Sequence, residues 1–191
     1  KAITKVIKSK LSINKQALFL FTKYSYIMDP HTIYDKVFKL RSSSFLKINI
    51  NDLKNNIIPD IQNYWKIRNE AFSLRKNLYE NFNFAKEEIS KQIEKSVVEC
   101  MISDVPIGSF LSGGLDSSIV TYFMQKNSLN KIHTYSMGNN NKDYDESSDA
   151  KTTANFLKTS HTEFFLSDMD ILNIAENIPN IYDEPFADSS Q

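Results

Sequence analysis

Eight consecutive residues, Leu111-Ser112-Gly113-Gly114-Leu115-Asp116-Ser117-Ser118, carry the densest chemistry of the 191-residue sequence. Two of the chain's four glycines stand side by side there. Gly113 and Gly114 let the backbone approach an anion with no Cβ between, and Ser112, Ser117 and Ser118 supply short hydroxyl donors. A helix starting just after them would add unpaired N–H groups and a positive dipole end. The string therefore reads as a phosphate-binding loop. Asp116 would repel a phosphate unless a divalent cation stood between them, so it reads as a Mg²⁺ contact. The loop lacks the lysine of Gly-x-x-x-x-Gly-Lys-Ser/Thr and the spacing of Gly-x-Gly-x-x-Gly. The plainer alternative is a tight turn closed by an aspartate at a helix start.

The flanking residues predict the elements that would hold this loop. Val105–Leu111 has the apolar content of a short buried strand. Ile119, Val120, Phe123 and Met124 fall on one face of a following helix. Upstream, Ile89, Ile93, Val97 and Met101 recur every four residues, with Glu87 and Glu88 at the expected entry turn, which predicts an amphipathic helix. Downstream come a strand over Lys131–Met137, a helix over Asp143–Leu157 with Asp143 and Glu146 as a capping box, a strand over His161–Leu166 and a helix over Asp168–Ile181. Alternating strands and helices predict an α/β fold with a parallel sheet flanked by helices, whose ligands collect at the carboxyl ends of the strands. The pattern changes near residue 80. Before it lie a helix over Ile13–Tyr26, a strand over Phe45–Ile50 and an Asn-rich segment, Asn51–Asn63, read as loop.

Composition excludes several classes. Lysines and arginines balance aspartates and glutamates at 23 each, and the lysines are scattered, so a nucleic-acid-binding patch is not expected. No apolar run reaches the length of a membrane span, and no signal-peptide core is present; a cytoplasmic protein is expected. The single cysteine, Cys100, permits no intramolecular disulfide and no paired-cysteine metal site; it reads as a buried, inert thiol. His161 reads as a structural histidine at the start of a strand.

The stretch Asp104-Val105-Pro106-Ile107-Gly108-Ser109-Phe110 leading into Leu111–Ser118 resembles the pyrophosphatase loop of the glutamine-hydrolysing asparagine synthetases, which belong with the N-type ATP pyrophosphatases. Two later stretches match that family in order. They are Tyr144-Asp145-Glu146-Ser147 with Ala150, Ala154 and Thr159-Ser160-His161-Thr162-Glu163, and Asp183-Glu184-Pro185-Phe186-Ala187-Asp188-Ser189-Ser190-Gln191. Residues 1–50 resemble the end of the family's glutaminase domain and its linker, 51–80 further linker, and 81–191 the first half of the synthetase domain. Two departures fall in the linker: Ser25 stands where the family usually has glycine, and Arg41-Ser42-Ser43-Ser44 replaces a Pro-Gly turn.

The resemblance implies ATP and Mg²⁺ as ligands. Ser112, Gly113, Gly114, Ser117 and Ser118 would hold the phosphates, and Asp116, as the catalytic residue, would hold the Mg²⁺ that neutralises the departing pyrophosphate. Leu111 and Met137 would contact the adenosine, although Met137 also reads as a core methionine. Asp145-Glu146-Ser147 is either a helix cap or the rim of the site. Asp183, Glu184, Asp188 and Ser189 would line the acceptor-amino-acid site, their alternative being solvated loop acids. The implied reaction joins aspartate to glutamine-derived ammonia through β-aspartyl-AMP, releasing AMP and pyrophosphate; the ammonia would come from a glutaminase domain, and a homodimer is one arrangement the resemblance allows. The family's second motif, Ser-Gly-x-Gly-x-Asp-Glu, and the glutaminase's amino-terminal cysteine do not occur in the sequence, so the chain reads as an incomplete fold, a fragment expected to be inactive alone. Alternative readings are another acyl-adenylating amide former, such as a β-lactam synthetase-like or polysaccharide-cluster enzyme, and a non-catalytic nucleotide-binding module.

Overall fold

In a computed structural model of the chain, which describes residues 2–7, 10–55, 59–75, 78–138, 145–185 and 187, two asparagines start the helices that organise its two halves. The Asn14 side chain accepts a hydrogen bond from the Ala17 N–H at 3.0 Å, and Asn81 accepts one from Phe84 at 3.1 Å. Each satisfies one of the N–H groups that a helix start leaves without a partner. The chain divides into two compact units: Lys1–Leu78 together with Ile174–Gln191, and Tyr79–Asn173.

The first unit contains α1 (Ala2–Val6), α2 (Lys15–Tyr24), β1 (Ser44–Leu46), α3 (Ile50–Lys54), β2 (Ile61–Asn63) and α4 (Ile67–Leu74). Its buried centre is Ala17, Ile27 and Ile33, with Phe21 and Tyr34 packed against them. α2 stops at Ser25, which adopts φ 66° and donates its N–H to the Phe21 carbonyl at 2.8 Å, the left-handed cap that glycine usually supplies. Ser43, at φ 57°, turns the chain into β1. β1 and β2 pair antiparallel, Ser44 opposite Asn63 and Leu46 opposite Ile61. Two expectations are corrected here. The strand over Phe45–Ile50 ends at Leu46, because the Asn49 side chain accepts from the Asn51 N–H at 3.0 Å and starts α3. The Asn-rich segment supplies α3 and β2 rather than loop alone.

The second unit runs α5 (Phe82–Cys100), β3 (Gly108–Phe110), α6 (Leu115–Lys126), β4 (His133–Gly138), α7 (Ser147–Leu157) and β5 (Ser160–Phe165), and α8 (Asp168–Ile181) leads out of it. The sheet order is β3-β4-β5 and both pairings are parallel, with Phe110 beside Tyr135 and Thr134 beside His161. Both crossovers join neighbouring strands, and the preferred right hand of such connections puts α6 and α7 on the same face, where they touch. β4 accordingly alternates, burying Thr134, Ser136 and Gly138 toward the helices. Val97, Phe123, Met124 and Ile132 form one core cluster and Leu111, Ala150 and Ala154 another. The α/β class with a parallel sheet flanked by helices holds. Among the described residues no helix is long and apolar enough to cross a membrane.

Three finer expectations change. α5 begins at Phe82 behind its cap Asn81, so Glu87 and Glu88 lie past its first turn. The strand over Val105–Leu111 narrows to three residues, Pro106 having no N–H to give a ladder. Cys100 is exposed, because it is the last residue of α5 and lies off the Ile93–Val97–Met101 stripe that packs inward.

Candidate nucleotide site

Leu111 leaves β3 with its N–H bonded to the Tyr135 carbonyl at 2.8 Å, and four residues later α6 begins at Leu115. The loop therefore stands at the carboxyl end of the sheet's first strand, as the alternation of elements predicts. Gly114 occupies the cap position of α6 with φ −76° and ψ 157°, and no glycine of the described residues has positive φ. Neither loop glycine is required by backbone conformation. Gly113 is required by contact: a Cβ there would lie 2.6 Å from the Asp149 Cβ on α7. Gly114 is open, its added Cβ meeting only the Ser112 Oγ at 3.2 Å, so the backbone can be approached closely on that side.

The serines hold the loop's shape. Ser112 Oγ and Ser117 Oγ are 2.8 Å apart, Ser117 Oγ donates to the Gly114 carbonyl at 3.2 Å, and Ser118 Oγ donates to the same carbonyl at 2.7 Å. The expectation that these hydroxyls donate outward is corrected on this point: they are bonded to the loop itself. What the loop offers instead is backbone. The N–H groups of Gly113, Leu115, Asp116 and Ser117 have no acceptor among the described residues; for the last three, the first turn of α6 dictates it. Asp116 lies in that turn, exposed, with no hydrogen-bond or ion-pair partner among the described residues. An anion cradle with a free carboxylate beside it is the donor set a magnesium-complexed phosphate requires.

The other expected residues distribute as follows. Leu111 is 2% exposed and its side chain is spent on Ala150 and Ala154, so only its backbone can face a ligand. Met137, beside Phe164 near the end of β4, is 60% exposed, which removes its reading as a core methionine. Ser147 is buried at the start of α7, and the Asp145 carboxylate accepts from its N–H at 3.1 Å. The capping box is corrected: Glu146 is itself at the cap position and makes no side-chain cap bond, while Asp143 lies outside the described residues. His161 is structural, with Nδ1 3.0 Å from Thr134 Oγ1 and Nε2 3.2 Å from Ser136 Oγ. Asp183 and Glu184 belong to the first unit, where Glu184 pairs with Lys39 at 2.6 Å. Lys39 Nζ also donates to the Ile27 carbonyl at 2.8 Å. Asp188 and Ser189 lie outside the described residues.

Residues 88–191, which include the loop, both flanking helices and all three parallel strands, match the asparagine synthase family. The chain belongs to that family. Among its relatives, a Methanocaldococcus jannaschii protein provisionally named glutamine-hydrolyzing asparagine synthetase 2 is 36% identical over 97% of this chain and 34% of its own length. The glutamine-hydrolyzing asparagine synthetase 1 of Bacillus subtilis is 29% identical over 96% of this chain and 27% of its own. The chain thus spans about a third or less of the curated relatives it matches. Sequence reasoning missed Asp149 within the matched asparagine synthase region and Lys39 outside it. Asp149 meets Gly113 only because α7 packs its Ala150 and Ala154 on Leu111, and no local pattern signals that.

Proposed function

We propose that the loop binds the phosphates of ATP as a magnesium complex, and that the protein uses it to form an amide from an amino-acid carboxylate, with aspartate as acceptor and glutamine-derived ammonia as the nitrogen source. The observation that carries this reading is the loop within the matched family region: four backbone N–H groups without acceptors among the described residues, a glycine open to close approach, and the carboxylate of Asp116, which has no partner among the described residues.

Asp116 would hold Mg²⁺, which when bound supplies neutralisation of the charge that builds on departing pyrophosphate. The N–H groups of Gly113, Leu115, Asp116 and Ser117 would orient the phosphates, and their rigidity derives from the serine bonds that close the loop on itself. The Leu111 backbone and the exposed Met137 side chain would flank the adenosine. Attack of the aspartate side-chain carboxylate on the α phosphorus would give β-aspartyl-AMP and pyrophosphate, and ammonia would then displace AMP to give asparagine. Glu184 is committed to Lys39, so within the acid-rich segment it acts as an anchor. The work asked of the protein is positioning and charge neutralisation among anionic partners.

The test is AMP and pyrophosphate formation from ATP with aspartate and either glutamine or ammonium. Asp116→Asn is expected to lower that rate by about 10²-fold or more, the usual worth of a transition-state electrostatic contact. Unchanged turnover in Asp116→Asn removes this carboxylate from the chemistry. Adenylation of a different carboxylate in place of aspartate moves the protein to another branch of the same scaffold.

A further inference from the structure

Asp149 is the second carboxylate at the loop. Its Oδ2 lies 3.3 Å and its Cγ 3.5 Å from the point where a Cβ of residue 113 would stand, which puts the carboxylate beside the loop. It is exposed, and neither it nor Asp116 has a cationic partner among the described residues. Three lysines of this unit are paired away from the loop: Lys151 with Glu163 at 2.7 Å, Lys126 with Glu94 at 2.9 Å and Lys91 with Glu88 at 2.8 Å. The loop contains no lysine or arginine. Within the loop itself, an anion entering the cradle thus meets neutral N–H donors, with the carboxylates of Asp116 and Asp149 beside them. The position of Asp149 in the first turn of α7 accounts for its tolerance in that helix, since an acid there is favoured by the dipole. It does not account for its seat against Gly113.

We infer that Asp149 is a specificity-determining residue that makes the loop reject uncomplexed polyphosphate, so that the nucleotide is accepted only with its divalent cation. The inference rests on the reading of the loop as a phosphate site. With the cation in place the ligand's charge next to Asp149 is largely cancelled; without it, the carboxylate repels the phosphates across a short distance. The contact to Gly113 is made chiefly by the Cβ, which asparagine keeps, so Asp149→Asn changes charge and leaves packing intact.

The experiment follows the Gly113 and Gly114 amide resonances of the chain during titration with ATP, once in EDTA and once with excess Mg²⁺, for the wild type and for Asp149→Asn. Wild type is expected to bind Mg·ATP and to bind metal-free ATP far more weakly. Asp149→Asn is expected to tighten metal-free ATP about tenfold, the scale of removing one unit charge a few ångströms from an anion at a protein surface, with the gain shrinking at high salt. Its affinity for Mg·ATP should change much less. Unaltered metal-free binding in Asp149→Asn, with Mg·ATP binding intact, overturns the inference alone. Failure of the wild-type amides to respond to ATP with or without Mg²⁺ overturns the phosphate-site reading and this inference with it.

Discussion

Gly113→Ala is the substitution whose cost the structure sets most directly. The new Cβ would sit 2.6 Å from the Asp149 Cβ, about 0.8 Å inside ordinary contact at 3.4 Å. The obstacle is the root of a side chain in the first turn of α7, so it cannot swing aside; either the loop or the helix must move. If α7 moves, it lifts Ala150 and Ala154, 0% and 1% exposed, off Leu111. Forcing a methyl into a packed contact of this kind costs about 1–3 kcal/mol. For a unit of this size that lowers the unfolding midpoint by roughly 5–20 °C. Gly114→Ala, whose Cβ meets only the Ser112 Oγ at 3.2 Å, should cost a few tenths of that. The assays are calorimetry of the whole chain and hydrogen exchange of the α7 amides, which should accelerate in Gly113→Ala. Two backgrounds sharpen the result. The penalty should persist with Asp149→Ala, which keeps the Cβ, and vanish with Asp149→Gly, which removes it. Equal midpoints for the two glycine variants, or a penalty that survives in Asp149→Gly, would refute the reasoning.

Thr134→Val should be among the costlier polar substitutions, about 1–3 kcal/mol by urea unfolding, because the buried hydroxyl reaches both Thr159 Oγ1 at 2.9 Å and His161 Nδ1 at 3.0 Å. Thr121→Val should cost less, since its partner Ser109 Oγ keeps the Phe110 carbonyl at 3.3 Å; equal costs would count against the pairing described. The Glu94 carboxyl is held below its ordinary value by the Asn127 amide and then Lys126, so its contribution is present above the unfolded-state value and fades as pH falls through the lower folded one. Glu94→Gln should therefore unfold at a lower temperature than wild type near pH 7, with the gap closing in acid; a gap constant with pH contradicts this. Ser25→Gly and Ser43→Gly relieve left-handed residues at φ 66° and 57°, and each should raise stability by about 0.5–1 kcal/mol, the relief exceeding glycine's extra unfolded-state entropy. A loss at either position would show that the serine is not strained.

The sequence made local features readable and long-range ones opaque. The loop, α6 and α8 were legible because a glycine pair and a 3.6-residue period are properties of neighbouring residues. The departures at Ser25 and within Arg41–Ser44 also carried information, for both fall where the backbone turns left-handed. β2 was not legible, since Ile61–Asn63 becomes a strand only by pairing with Ser44–Leu46. Nor was the inward seat of Leu111, which depends on α7. At the candidate site, the identity of the loop residues was readable, but the service each performs was not: serines expected as donors close the loop, and the glycine that matters for packing answers to an aspartate 36 positions away.

The imidazole of His161 bridges two hydroxyls that stand two residues apart on β4, Thr134 and Ser136, and Thr134 in turn meets Thr159 at the entrance of β5. Strand alignment here is keyed by polar groups rather than by an aliphatic stripe. A shift of β5 by one residue would send the ring to the opposite face, and a shift by two would leave one nitrogen facing no hydroxyl. These four positions therefore behave as a single unit of inheritance. A β5 transplanted from a relative would align only if its partners on β4 came with it, and variation at any one of the four should be tolerated only alongside matching change at the others.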